Sequence, residues 1–428
     1  MISNEVLIKG GHVVDPATCL DGRADIFIKD GKIKTISNDI RASTTTRVVD
    51  ATGKYVIPGL VDCHVHLREP GLEYKETIET GSRAAAKGGF TTLICEPNTI
   101  PPIDSLKMVE SLMERVCQKS LVNIYTKACI TKGLLGEELT DIEKLAADKR
   151  VRALSDDGNP VFYETLIKKA CELAARNNII ISPHCEDSQI SLDKAKEDAN
   201  VAHFPGKPFC HETEFVNREI KYTEQAKGWL HVSHVSLKNT LKVIQQAKER
   251  RLAKITCEVT PHHLLLDENF KNKDGSTPKT NPPLRSREDV AELRKGLSNG
   301  IVDVIATDHA PHTHDDIKSG ASGFVGLENA IGVILTKLVH PGILSLKEVV
   351  KKMSTNPARI FKINGGSLAV GMPADIAIID MNKEWTVDVE KFESKARNCP
   401  FNGWKMVGQV VTTIVGGRVV VDNSQIVC

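Results

Sequence analysis

The chain has 428 residues and carries 56 Lys plus Arg against 55 Asp plus Glu, a formal net charge of +1. So close a balance, with no long run of either sign, excludes nucleic acid and anionic membrane surfaces as charge-driven partners and leaves a small molecule. The 11 cysteines are odd in number, spread from Cys19 to Cys428 and free of any CxxC pair, which excludes a disulfide framework and a cysteine-built zinc centre and points to a reducing cytoplasm.

The start, "MISNEVLIKGGHVVDP", has no basic segment leading into a long apolar one, and no apolar run nears the roughly 20 residues that span a bilayer. Residues 1–58 contain "EVLIKGGHVVD", "ADIFIKDGKIKTIS" and "TRVVDATGKYVIPG", strand-like stretches punctuated by Gly and Asp turns. Over residues 59–363, short β-branched runs then alternate with amphipathic segments. Eight strand candidates stand out: "GLVDCHVH", "FTTLICEPN", "LVNIYTKA", "VRALSDD", "NIIISPHC", "WLHVSHVS", "AKITCEVT" and "VDVIATDH". Between them lie helical faces such as Leu166, Ala170, Leu173 and Ala174, or Val290, Leu293 and Leu297. Eight such units in about 300 residues predict an α/β fold, a (β/α)8 TIM-type barrel. Residues 364–428 return to strands in "ADIAIID", "EWTVDV" and "VVTTIVGGRVVVD". Neither end makes a domain alone, so 1–58 and 364–428 are expected to form a small composite β-sandwich beside the barrel.

In such a barrel the strand ends line the active face, so their polar residues belong together. Strand one ends in His64 and His66, strand four in Asp156 and Asp157, strand five in His184, strand six in His234 and strand eight in Asp308. One histidine at a strand end is most often a hydrogen-bonded structural residue. Four imidazoles and at least two carboxylates converging on one mouth instead suit zinc or a similar borderline divalent ion. Asp308 has the position of a catalytic acid and base, because a metal lowers the pKa of bound water from about 15.7 towards 7 and a nearby carboxylate can take its proton. His231, three residues before His234, is expected to face away and be structural. His12, His203, His211 and His340 lie outside the strand ends, and His262 and His263 read as packing or as support behind the ligands. Arg68, Asn98, Asn281 and His312 follow strands one, two, seven and eight, and an arginine fork with an amide and an imidazole suits a substrate carboxylate. The Gly-rich 319–328 stretch offers backbone groups to a planar ring, and the polar segment 312–323 has the composition of a mobile lid.

These residues, with "GKYVIPGLVDCHVHLREPG", "SDDG", "HCED", "HVSHVS", "EVTPHHLLL", "NPPLRS", "ATDHAPH", "GSLAVGMPADIAIID" and "PFNGW", resemble the amidohydrolase superfamily, and within it the dihydroorotases of the class I bacterial kind. The resemblance implies reversible hydrolysis and cyclisation between (S)-dihydroorotate and N-carbamoyl-L-aspartate in pyrimidine (UMP) synthesis. It implies two zinc ions per subunit: one on His64, His66 and Asp308, a second on His184 and His234, and the acid of "SDDG", by its spacing to "HCED" Asp157, bridging them. Arg68, Asn98 and His312, with His66 beside them, match residues that hold the substrate carboxylate, and Asn281, Ser322 and Gly323 match those that touch the ring. It further implies a homodimer and association with aspartate transcarbamoylase. The competing functions are another cyclic amidase, such as an allantoinase or hydantoinase, and an inactive scaffold. Two departures stand out. Strand four has no lysine to carboxylate, and Glu96 replaces an apolar residue before "PNT", where the plain expectation is that it faces away.

Overall fold

The structure is a computed structural model that describes residues 5–186 and 212–427; His203 and His211 lie outside that range. Five strands come first, β1 (Glu5–Asp15), β2 (Leu20–Lys29), β3 (Lys32–Ser37), β4 (Arg47–Asp50) and β5 (Tyr55–Pro58). The barrel strands follow as β6 (Leu60–Val65), β7 (Phe90–Cys95), β8 (Asn123–Ala128), β9 (Val151–Leu154), β10 (Ile180–Ile181), β11 (Trp229–Val232), β12 (Lys254–Val259) and β13 (Val304–Ile305). The last four are β14 (Ile376–Thr386), β15 (Lys405–Val415), β16 (Arg418–Asp422) and β17 (Gln425–Ile426).

Strands β6 to β13 pair in sequence order, every pair parallel. β6 and β7 are buried at every residue, as strands covered on both faces must be, which is why they read as apolar runs rather than alternations. Just beyond β13, His309 makes a parallel bridge to Val65 of β6 and brings the two ends of the eight-stranded sheet together. Asp62 seals that seam: its carboxylate accepts the Thr307 and His64 amides, and burial pushes its pKa up to about 7. Inside, Val61, Cys63, Ile94, Ala153, Ile180, Val304 and Ala306 form a compact cluster with Phe361.

The helices cover the outside by their apolar stripes. Arg287–Ser298 buries the expected Val290, Leu293 and Leu297. Glu164–Arg176 buries Ile167, Ala170, Cys171 and Ala174, so its stripe is turned by about one residue from the expected face and Leu166 and Leu173 flank it.

The termini share one predominantly antiparallel nine-stranded sheet, with β5 between β1 and β14. Ile8, Ile26, Ile28, Val56, Ile376, Ile378 and Ile414 give it a core of its own. β5 runs into β6 across a single residue, Gly59, whose amide bonds the Asp375 carbonyl at 2.9 Å. A Cβ there would come within 2.2 Å of Thr91 Oγ1, so only glycine lets the first barrel strand leave the sheet this closely. That junction fixes where the next residues, His64 and His66, emerge.

Candidate active site

The Nε2 atoms of His64 and His66 both face Asp308, at 3.7 and 3.1 Å from its Oδ1. Asp157 faces the whole group. Its Oδ1 lies 3.5 Å from His64 Nε2, 3.3 Å from His184 Nδ1 and 3.6 Å from His234 Nε2, and its Oδ2 lies 3.6 Å from His66 Nε2. His184 and His234 meet at 3.1 Å. Tetrahedral zinc with bonds near 2.1 Å sets its ligand atoms about 3.4 Å apart, which is the spacing of these donors. The described residues that converge closely enough to hold an ion include His64 with His66 and Asp308, and His64 with Asp157 and His234. His64 Nε2 is buried without a hydrogen-bond partner while carboxylate oxygens surround it, so a cation fits as its missing partner.

The electrostatics agree. Burial opposes charge on His64, yet Glu96 and Glu258 outweigh it, with Lys127 opposing them, and the imidazole's affinity for positive charge rises well above the ordinary. Burial would likewise raise Asp157 and Asp308, but the surrounding imidazoles hold both carboxyls well below the usual range. Asp156, one residue from Asp157, points elsewhere. Burial pushes it up to about 7 while it accepts the amides of Ile130 and Thr131 at 2.7 and 3.1 Å. Arg68, His234 and Asp308 adopt left-handed backbone, with φ of 61°, 32° and 49°, an uncommon state that clusters at functional sites.

Glu258 of β12 is the residue that strand-end reasoning missed. Its Oε1 accepts His64 Nδ1 at 2.6 Å and the His234 amide at 3.3 Å, and its Oε2 accepts His231 Nε2 and Cys63 Sγ, both at 3.0 Å. This bond puts the His64 proton on Nδ1 and leaves Nε2 free to ligate, the usual arrangement behind a metal-binding histidine. His231 is therefore structural as expected in its contacts, with Thr256 on its other nitrogen at 2.9 Å, but it belongs to the support of His64. A charged residue within a strand buried on both faces was the available signal.

Glu96 also corrects an expectation: it does not face away. Its side chain is fully buried, its Oε1 is 3.6 Å from His64 Nε2, and it is ion-paired with the fully buried Lys127 of β8.

Around this centre, Arg68 donates from Nε to the Pro311 carbonyl and reaches His312 Nε2, each at 3.2 Å. His312 also meets Lys75 Nζ at 3.4 Å; burial and these two cations push it down to about 3, so it stays neutral. Asn98 is more committed than expected: its oxygen meets His66 Nδ1 at 2.9 Å and its nitrogen donates to Asp157 Oδ2 at 3.1 Å. Asn281 meets the outer nitrogen of His184 at 3.1 Å. His263 bonds Thr260 and the Pro282 carbonyl, fixing the chain beside Asn281, while His262 packs on Phe324 and is pushed down to about 4, first by burial.

Gly323, with φ of 140°, donates its amide to Lys279 and accepts Asn398 on its carbonyl, so the loop beside half-buried Ser322 offers shape there rather than a free backbone donor. The segment expected as a lid contains a short helix, His314–Lys318, capped by Thr313. Arg285 joins three of the motifs, bonding Ser236 at 2.9 Å and Glu186 at 2.8 Å.

Residues 55–420 match the model of the amidohydrolase family. A protein from Acetivibrio thermocellus named dihydroorotase is 43% identical over 98% of this chain and 99% of its own length. Another so named, from Pelotomaculum thermopropionicum, is 43% identical over 99% of this chain and all of its own. Among solved structures, an L-hydantoinase (dihydropyrimidinase) from Arthrobacter aurescens superposes with a TM-score of 0.87 at 28% identity, covering 100% of this chain and 98% of that one.

Proposed function

Because this chain belongs to the amidohydrolase family, we propose that it is a dihydroorotase, a metal-dependent hydrolase interconverting (S)-dihydroorotate and N-carbamoyl-L-aspartate in pyrimidine synthesis. The observation that carries the substrate is Arg68. The residue is 8% exposed, and its guanidinium reaches His312 and lies in the field of Asp308 and Asp157. A buried cation at the mouth needs an anionic partner, and the ring carboxylate of dihydroorotate supplies one where a neutral hydantoin does not.

His64, His66, Asp157, His184, His234 and Asp308 would hold the metal, which we read as two zinc ions. When bound, the metal supplies an ionised water as nucleophile and polarises the ring carbonyl. Arg68 and His312, with Asn98 and His66 beside them, orient the substrate carboxylate, while Asn281 and the Ser322–Gly323 loop border the ring. Asp308 accepts the proton of the attacking water and delivers it to the ring nitrogen as the C–N bond breaks; ring closure runs the same transfers backwards. We extend the proposal to a homodimer, to association with aspartate transcarbamoylase and to a cytoplasmic setting. Among the described residues no helix is long and apolar enough to cross a membrane.

The test is a steady-state assay of zinc-supplemented protein on dihydroorotate, hydantoin and allantoin, repeated with Arg68→Met. We expect turnover of dihydroorotate alone and, from the loss of a charge-assisted contact, a fall of about 100-fold in kcat/KM in the variant. Turnover of a neutral ring, unaffected by the substitution, would move the assignment to a hydantoinase or allantoinase. Silence on all three with zinc bound would point to a scaffold or a required partner.

A further inference from the structure

The interior of a barrel of this kind is normally filled by layers of branched apolar side chains. Here Glu96, directly after β7, and Lys127, the next-to-last residue of β8, meet in that interior as an ion pair with both side chains 0% exposed. A buried ion pair is at best neutral for stability when compared with a well-packed apolar pair, so burial alone gives it no reason to be there. Its surroundings do. Glu96 Oε2 and the Nε2 of His64 are buried without a hydrogen-bond partner, and Glu96 Oε1, the oxygen that meets Lys127, stands 3.6 Å from that nitrogen, between the distances of Asp157 and Asp308. Lys127 also donates to Ser182 Oγ at 3.0 Å, and Ser182 bonds Ser233 Oγ at 3.0 Å. Ser182 lies two residues before His184 and Ser233 one before His234. The pair thus reaches His64 on one side and the backbone carrying His184 and His234 on the other.

We propose that Glu96 and Lys127 are positioning residues that set the metal affinity of this site in opposite senses. Glu96 adds negative charge beside the ligating nitrogen of His64 and strengthens binding. Lys127 neutralises Glu96 and, tied to Ser182, keeps it from acting as an additional ligand. The inference rests on the metal-site reading above.

The experiment measures the zinc affinity of the folded proteins by competition with a chromophoric chelator, with bound zinc per chain from elemental analysis. Glu96→Gln leaves an uncompensated ammonium near His64 and is expected to weaken zinc binding about tenfold or more. Lys127→Met frees the carboxylate and is expected to tighten it. The double variant Glu96→Met with Lys127→Met removes both charges and is expected to return within about threefold of the wild type, because the two effects are coupled. A merely structural pair would lower affinity in both single variants or in neither, and either result overturns the proposal. If Lys127→Met does not fold, the double variant decides, since binding as weak as in Glu96→Gln would also overturn it. A wild-type protein that binds no zinc refutes the metal-site reading itself, a separate outcome.

Discussion

Glu258→Gln removes one charge and almost no volume, and its cost follows from the hydrogen bonds counted at that carboxylate. Two oxygens accept four donors: His64 Nδ1 and the His234 amide on one, His231 Nε2 and Cys63 Sγ on the other. Glutamine keeps one oxygen and replaces the other by an NH2 group. Whichever way the amide turns, two donors meet a donor, at about 1–3 kcal/mol for each buried group left unsatisfied, hence roughly 2–6 kcal/mol of stability. The same change loosens His64 and lets its proton move to Nε2, the nitrogen that faces Asp157 and Asp308, so zinc affinity is expected to fall about 10- to 100-fold. Urea denaturation of the metal-free protein reads the first quantity and chelator competition the second. A variant that folds with near wild-type stability and holds zinc within about twofold of the wild type would show that Glu258 neither orients nor polarises His64.

Asp308→Asn keeps the shape of the site but cannot carry a proton; since such transfer is worth about 10² to 10⁴ in rate, kcat is expected to fall by that range with the fold intact by circular dichroism. Removal of metal by a chelator is expected to abolish turnover and to lower the thermal midpoint, both restored by zinc; full activity in verified metal-free protein refutes the metal-dependent reading. Burial pushes Asp375 up from 3.8 to about 6 in the fold. A raised carboxyl stabilises below its unfolded value and loses that contribution as pH climbs through the folded one, so relative to Asp375→Asn the wild type is expected to lose about 3 kcal/mol between pH 4 and 6 and nothing further above it. A constant stability difference across that window, measured by denaturant titration, contradicts the assignment.

The barrel was legible because its signal repeats: eight apolar runs, each followed by an amphipathic stripe, leave few other architectures. The strand-end histidines were legible by position. His64, His66, His184 and His234 are polar residues ending apolar runs, and the structure brings all four around Asp157. What escaped is of another kind. Glu258, Glu96 and Lys127 sit within or directly beside strand candidates, where a charge contradicts the apolar pattern and is easily assigned to the outward face. Orientation could not settle the matter, because strands covered on both faces show no alternation from which to read a direction. The usable signal was pairwise. β7 and β8 run side by side with Cys95 opposite Thr126, so the next residues, Glu96 and Lys127, are opposite charges at the same height. Two such charges in adjacent buried strands can be accommodated if they face each other, and in this structure they do.

Charge balance links that pair to the rest of the site. Glu96, Glu258, Asp157 and Asp308 place four buried carboxylates around His64, and among the described residues Lys127 and Arg68 are permanent cations set among them. The remaining excess of negative charge cannot be left uncompensated in a medium that screens weakly. Divalent metal would offset that excess and, together with Arg68, favour both a substrate carboxylate and an ionised water. On this account Glu96 is tolerable only because Lys127 pairs with it: an additional buried carboxylate alone would hold metal more tightly while drawing down the positive charge that substrate binding uses. The acid after one strand and the lysine on the next therefore make sense as a single unit, read at the metal rather than in the stability of the barrel.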